Sequence, residues 1–231
     1  MSLQFIIGSS GIGKTHYACE QIIRESMENP QHLYYIIVPE QFTMQTQKNV
    51  VEMHPGKGIL NIDVLSFQRL AYRIFEETGG AREVLLDDTG KSMVLQKLVQ
   101  QHRKNLPYLG SQMNKPGYLD EVKSLISEFM QYDIREEELQ DMLGKTGEDS
   151  LLHMKMQDVG VLYQAFLQYL EGHYMTGEGV MDALKKAIPF SDKLKKSVLL
   201  LDGFTGFTPV QMNVIRELLN VCDKVLVTVT M

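Results

Sequence analysis

Eight consecutive residues near the start of the chain, Gly8-Ser9-Ser10-Gly11-Ile12-Gly13-Lys14-Thr15, are of types that can hold an anion together. Their spacing is G-x-x-x-x-G-K-[ST], the phosphate-binding loop pattern. Glycines allow left-handed φ and let the backbone approach a phosphate closely. Consecutive N–H groups, continued by the start of a helix, make a positively polarised nest. Lys14 offers a mobile charge to the β- and γ-phosphates, and Thr15 a hydroxyl to Mg²⁺. At average composition a chance match arises in roughly one chain in a hundred of this length. The spacing predicts an ATP-binding loop made by all eight residues, Gly8 to Thr15.

Such a loop needs a carboxylate for the magnesium shell, carried at the end of a neighbouring apolar strand. Asp202, after Val198-Leu199-Leu200-Leu201, is the acid in that context, so Thr15 and Asp202 are the expected Mg²⁺ residues. Many hydrolysing enzymes of this type place Glu directly after that Asp, to position or deprotonate water. Here the next residue is Gly203, so no base stands at the expected place. Glu40 and Asp63, near the ends of two further expected strands, are the substitutes on offer. The pattern predicts nucleotide binding and leaves the catalytic residue unassigned.

These residues must be positioned by alternating strands and helices. Residues 3–7 read as a strand running into the glycine loop, and 14–28 as a helix. Residues 32–38 (HLYYIIV) form a second strand, stopped by Pro39, and 40–53 a helix. A third strand lies within 59–65, and Ser66 caps a helix that runs to Thr78 and closes on Gly79-Gly80. Residues 197–202 (SVLLLD) form another strand. Thr208 and Pro209 open a helix as N-cap and first residue. Residues 224–229 make a last strand. Strands alternating with helices imply right-handed crossovers and a parallel sheet.

The middle of the chain differs. From about residue 87 to 186 the periodicity is helical and no strand is predicted, with Pro107, Pro116-Gly117 and Gly144 as punctuation. Glu136-Glu137-Glu138 begins one helix, where acids suit the helix dipole. Met130, Met142, Met154 and Met156 read as core filler. The expected organisation is an α/β domain made of 1–84 and 196–231, interrupted by an all-helical insertion at 85–195. A chain that stops on a strand also reads as the N-terminal piece of a longer polypeptide.

The 231 residues carry a net charge of −6, unlike a domain that grips DNA by its own basic surface. No apolar run approaches the ~20 residues that span a bilayer. The first residues lack a basic n-region, so no membrane association and a cytoplasmic location are expected. Cys19 and Cys222 belong to no Cys/His cluster and are predicted to be buried reduced thiols.

Several segments together carry a more specific resemblance: GSSGIGKT, VPEQFTMQTQ (38–47), VLSFQRLAYRIFEETGG (64–80), LLDDTGK (85–91) and LLLDGFTGFTPVQ (199–211). Over essentially the whole chain this resembles the N-terminal region of the AddB family, which forms part of bacterial helicase–nucleases that process double-strand DNA breaks. The resemblance implies a P-loop NTPase, superfamily-1 helicase-like first domain with a helical insertion. It implies DNA contacts from the PEQ segment and from Leu65-Ser66-Phe67, with Gln41, Ser66 and Phe67 as DNA-binding candidates. Phe67 would stack on a base, or pack in the core. Gln41 and Ser66 would bond phosphate, or cap helices. The family's partner is an AddA-type helicase/nuclease, which drives translocation. Nucleotide-controlled DNA engagement and recognition of the Chi signal are the implied role of this region. The family's exonuclease and iron–sulfur cluster belong to the far end of the full-length protein and not to this chain, whose two cysteines cannot supply four ligands.

Two other readings stay open on the residues alone. One is a P-loop kinase of a small molecule or nucleotide, with Arg103 and Arg135 as the clearest phosphate clamps. The other is a DNA-stimulated motor ATPase.

Overall fold

A computed structural model describes residues 2–80, 83–112, 115, 117–147 and 150–231. In chain order the elements begin with strand β1 (Ser2–Gly8), helix α1 (Lys14–Glu28), β2 (Leu33–Ile37), α2 (Thr43–Met53), β3 (Ile62–Leu65) and α3 (Phe67–Thr78). There follow β4 (Val84–Leu85), α4 (Asp88–His102), α5 (Leu109–Gln112), α6 (Tyr118–Gln131), α7 (Glu136–Gly144), α8 (Leu151–Leu170), β5 (Tyr174–Met175) and α9 (Gly177–Ala187). The chain continues through β6 (Ser197–Leu201), α10 (Pro209–Val221) and β7 (Lys224–Thr230). They form two compact units, Met1–Ala81 with Met181–Met231, and Arg82–Val180.

The first unit is α/β. Its five strands pair in parallel in the order β1-β7-β6-β2-β3. All their C-terminal ends therefore share one edge, and the loops leaving β1, β2, β3 and β6 gather there. The central strand β6 (SVLLL) is buried along its whole length, which is why it reads as a continuous apolar run instead of alternating. On one face Ala18, Cys19, Ile22 and Ile23 of α1 and Val50 of α2 pack against Ile36, Val64, Leu200 and Leu226. On the other, α3 lies along β3 and α10 along β7.

The helix ends follow their local chemistry. The Ser66 hydroxyl accepts the Arg69 N–H and begins α3, and Gly79 ends it at φ 69°. Thr208 and Gln211 form a reciprocal capping box ahead of Pro209. The helix expected from residue 40 instead starts with one 3₁₀ turn, Glu40–Phe42, with α2 proper beginning at Thr43.

The second unit packs α4, α6, α7 and α8 around Leu95, Leu98, Ile126, Phe129, Leu162 and Phe166. Gly160 of α8 lets α7 come close: a Cβ there would lie 2.9 Å from Leu139 Cδ2. Met130 and Met156 pack against this core, whereas Met142 and Met154 are more than a third exposed. The expectation of an all-helical insertion is corrected. Val84 and Leu85 pair in parallel with Tyr174 and Met175. Two residues per strand are too few to show an alternating pattern, so periodicity could not reveal them. Pro116 lies outside the described residues. Among them, no helix is long and apolar enough to cross a membrane.

Candidate functional site

The site is built where β1 hands over to α1. Gly8 ends the strand, and a Cβ there would meet Ile12 Cγ2 at 2.9 Å, so any larger residue would force the exposed Ile12 side chain to move. Gly11 and Gly13 have φ of 78° and 95°, in the left-handed region. Gly13 precedes the first residue of α1, and neither a capping side chain nor an acid occupies the first turn. Its N–H groups and the positive end of the helix dipole are thus left to an anion. Lys14 folds over the loop, its Nζ donating to the carbonyls of Gly8 (2.9 Å) and Ser9 (2.8 Å).

Asp202 comes from the other end of the sequence. It extends the β6–β2 ladder, its N–H donating to Ile37 O at 3.0 Å, and it is 4% exposed. Its Oδ1 accepts the Thr15 hydroxyl at 3.0 Å and the Thr228 hydroxyl at 2.6 Å. The fold thus brings together the two residues expected at the magnesium shell, and adds Thr228, which the sequence pattern does not single out. The donor set fits a hard cation: a carboxylate and a hydroxyl, all oxygen. Among the described residues no cluster of three or more His, Cys, Asp or Glu side chains could hold a metal. A divalent ion here would take the rest of its shell from water and phosphate oxygens, the usual arrangement for Mg²⁺.

A cleft of ≈ 670 Å³ opens beside these groups. Ser10, Gly11, Gly13, Lys14, Thr15 and Asp202 line it. Thr46, Asn49 and Glu52 of α2 also line it, and no sequence motif singles them out. Their spacing of three residues was the available signal, but it also describes any solvated helix face. Cys19 reaches the cleft as well. Burial first, and then the Asp202 charge, push its thiol up to about 12, so it stays protonated and inert. Cys222 is likewise a buried free thiol.

The substitute bases are engaged elsewhere. Glu40 pairs with Arg69 at 3.0 Å and Asp63 with Arg73 at 2.9 Å, and neither lines the cleft. Gly203 has φ +76°, a conformation that resists any side chain. Glu52 is the one acid besides Asp202 among the lining residues.

The DNA candidates lie at the same sheet edge but outside the cleft lining. Gln41 is exposed in the 3₁₀ turn after β2. Ser66 is buried and occupied as the α3 cap. Phe67 is 5% exposed, with its ring centroid 5.5 Å from Phe204 and 6.4 Å from Phe207. Its ring is thus held in an aromatic cluster with the two phenylalanines of the loop after β6.

Comparison with known proteins places this geometry in context. Residues 5–231 match the family described as "ADDB, N-terminal". A protein of Lachnoclostridium phytofermentans, named as one subunit of an ATP-dependent helicase/deoxyribonuclease, is 46% identical over all 231 residues. Proteins of the same name from Alkaliphilus metalliredigens (231 residues aligned) and Geobacillus thermodenitrificans (237 aligned) are each 33% identical over the whole chain. The chain spans 20% of the length of each of these relatives. With the match running from residue 5 to the last residue, the chain belongs to the AddB N-terminal family.

Proposed function

We propose that this chain is the nucleotide-binding part of a helicase/deoxyribonuclease subunit, and that its α/β unit is a P-loop NTPase fold of the superfamily-1 helicase type. The observation that carries the reading is the 3.0 Å contact between Thr15, at the end of the glycine loop, and Asp202 at the end of β6. Gly8 to Thr15 would hold the phosphates of ATP, and Thr15 with Asp202 would hold Mg²⁺. The ion's chemistry there is to neutralise phosphate charge. The protein's own contribution is to orient the phosphates by loop N–H groups and Lys14. The relatives' name, with its ATP-dependent helicase/deoxyribonuclease, supports ATP as the nucleotide and DNA as the larger substrate. That the relatives are named as one subunit of such an enzyme also supports a partner, of the AddA type. On this reading the exposed Gln41 belongs to a DNA-facing edge, which Ser66 and Phe67 support from within by capping α3 and by aromatic packing, and bound nucleotide controls how that edge engages DNA and a Chi-type signal. ATP can act so only by favouring one conformation over another.

The test is direct. Equilibrium binding of a fluorescent ATP analogue to the chain should be detectable and should strengthen with Mg²⁺. Absence of binding by a folded chain up to millimolar nucleotide would refute the reading.

We further propose that the site grips ATP without turning it over. Gly203, left-handed and following Asp202, supports this. A Cβ there would make only ordinary contacts, 3.7 Å to Pro39 Cδ and 3.9 Å to Phe42 Cδ2, so backbone strain is what opposes a side chain. Gly203→Glu is expected to cost about 1–2 kcal/mol of stability and to leave ATPase activity at background. Phosphate release well above background by the parent chain, abolished by Lys14→Ala, would refute this proposal.

A further inference from the structure

Strand β7 changes character as it reaches the cleft. On the face packed against α1 it presents Leu226, fully buried, and then Thr228 and Thr230, both lining the cleft. Val227 pairs with Leu201 of β6, so Thr228 stands directly across from Asp202. On its other side Thr228 pairs with Ile6 of β1, the strand that delivers the glycine loop. Thr228 therefore sits between the strand that ends in the loop and the strand that ends in the carboxylate.

Packing alone does not call for a hydroxyl here. Thr228 is 9% exposed in a strand of sequence KVLVTVT, and valine has nearly the same shape. A buried hydroxyl needs a partner to offset its lost hydration. The partner is Asp202 Oδ1, at 2.6 Å, a length typical of a hydroxyl donating to an ionised carboxylate. Thr15 donates to the same oxygen at 3.0 Å. Two hydroxyls from different elements thus occupy Oδ1. Among the described residues no hydrogen bond reaches Oδ2.

We infer that Thr228 is a positioning residue: its hydroxyl fixes the rotation of the Asp202 carboxylate so that a divalent cation held with nucleotide phosphates meets an oriented oxygen. This rests on the nucleotide-binding reading proposed above. It assigns Thr228 no contact with nucleotide or metal. Partners that orient a metal-binding carboxylate commonly change metal affinity by about 10- to 100-fold when removed.

The experiment compares the chain with Thr228→Val and Thr228→Ser, using a fluorescent ATP analogue titrated in EDTA and at graded Mg²⁺. In Thr228→Val, affinity in EDTA should stay within about twofold of the parent, while the Mg²⁺ midpoint should rise about tenfold or more. Thr228→Ser should restore the midpoint. In an Asp202→Ala background, adding Thr228→Val should have no further effect on the Mg²⁺ response, a non-additivity that a packing role would not produce. Circular dichroism monitors folding, and Thr228→Ala replaces Thr228→Val should the latter unfold.

An unchanged Mg²⁺ midpoint in folded Thr228→Val would overturn the inference, as would equal losses in EDTA and in Mg²⁺. Failure of the underlying reading has a different signature. The parent chain itself would then bind no nucleotide, or would bind it with no response to Mg²⁺, and both claims would fall together.

Discussion

Lys14→Ala should weaken ATP binding by roughly 10- to 100-fold, the range expected when a charged hydrogen-bonding group is removed from a phosphate site. The Lys14 amine now rests on two loop carbonyls, Gly8 O and Ser9 O, at 2.9 and 2.8 Å. Both are within reach of the same flexible side chain, so moving to a phosphate needs a rotamer change and no rearrangement of the fold. The loop keeps its shape through Gly11 and Gly13, whose left-handed φ does not depend on the lysine. The melting temperature of Lys14→Ala should therefore stay close to that of the parent. Lys14→Arg should not restore binding, because a planar guanidinium cannot replace a compact ammonium in a loop this tight. Calorimetric titration with Mg-ATP, beside a thermal melt, checks all three statements. Retention of full affinity by Lys14→Ala would remove Lys14 from the site.

The second large effect lies in the helical unit. Lys91 on α4 is 6% exposed, and its ammonium donates to both oxygens of Glu178 at 3.0 and 2.9 Å and to Ser127 Oγ at 3.3 Å. The Glu178 side chain is 10% exposed. Lys91→Met would leave that carboxylate buried without its cation, which typically costs about 3–5 kcal/mol. Lys91→Met with Glu178→Leu should recover most of the loss, since an apolar pair leaves no uncompensated charge. Urea denaturation followed by circular dichroism measures both.

The same pair predicts a pH dependence. Burial pushes the Glu178 carboxyl up, but the Lys91 hydrogen bond, its own backbone N–H and the Lys91 charge together hold it below its ordinary value. A depressed folded value means that the unfolded chain binds the proton more readily. The pair's stabilisation is then complete above the ordinary carboxylate range and is lost as pH falls through the folded value. In Lys91→Met the lysine's hydrogen bond and charge are gone, while burial, the largest single influence, remains. The carboxyl should rise, and the variant should gain stability relative to the parent on acidification. A parallel acid limb in the two proteins would contradict this account.

Much of the architecture was legible because it is written in local chemistry. The helix 14–28, the caps at Ser66 and Thr208, the glycine stop at Gly79 and the buried strand SVLLL each depend on residues within a few positions of one another. The loop from Gly8 to Thr15 is local in the same sense: the need for positive φ and for a lysine and a hydroxyl shows in eight letters. The two-residue pair of β4 and β5 was not legible, since neither strand is long enough to carry a period. The arginine partners of Glu40 and Asp63 lie 29 and 10 residues away and were invisible for a different reason. Nothing in a sequence says which charges a helix will lay beside a strand end.

Residue order alone required that a glycine loop join a strand to a helix and that an acid end a buried strand. Whether the two meet was left to the packing of the whole sheet. The order β1-β7-β6-β2-β3 puts β7 between the loop strand and the acid strand, and so brings Thr228 onto the oxygen that Thr15 also holds. Thr15 and Asp202 are 187 residues apart, and their contact depends on strand pairing across that whole interval. Propensity and capping act over a few residues, whereas strand order is set by how the assembled helices and sheet bury their apolar faces. That cooperative outcome has no local signature to read.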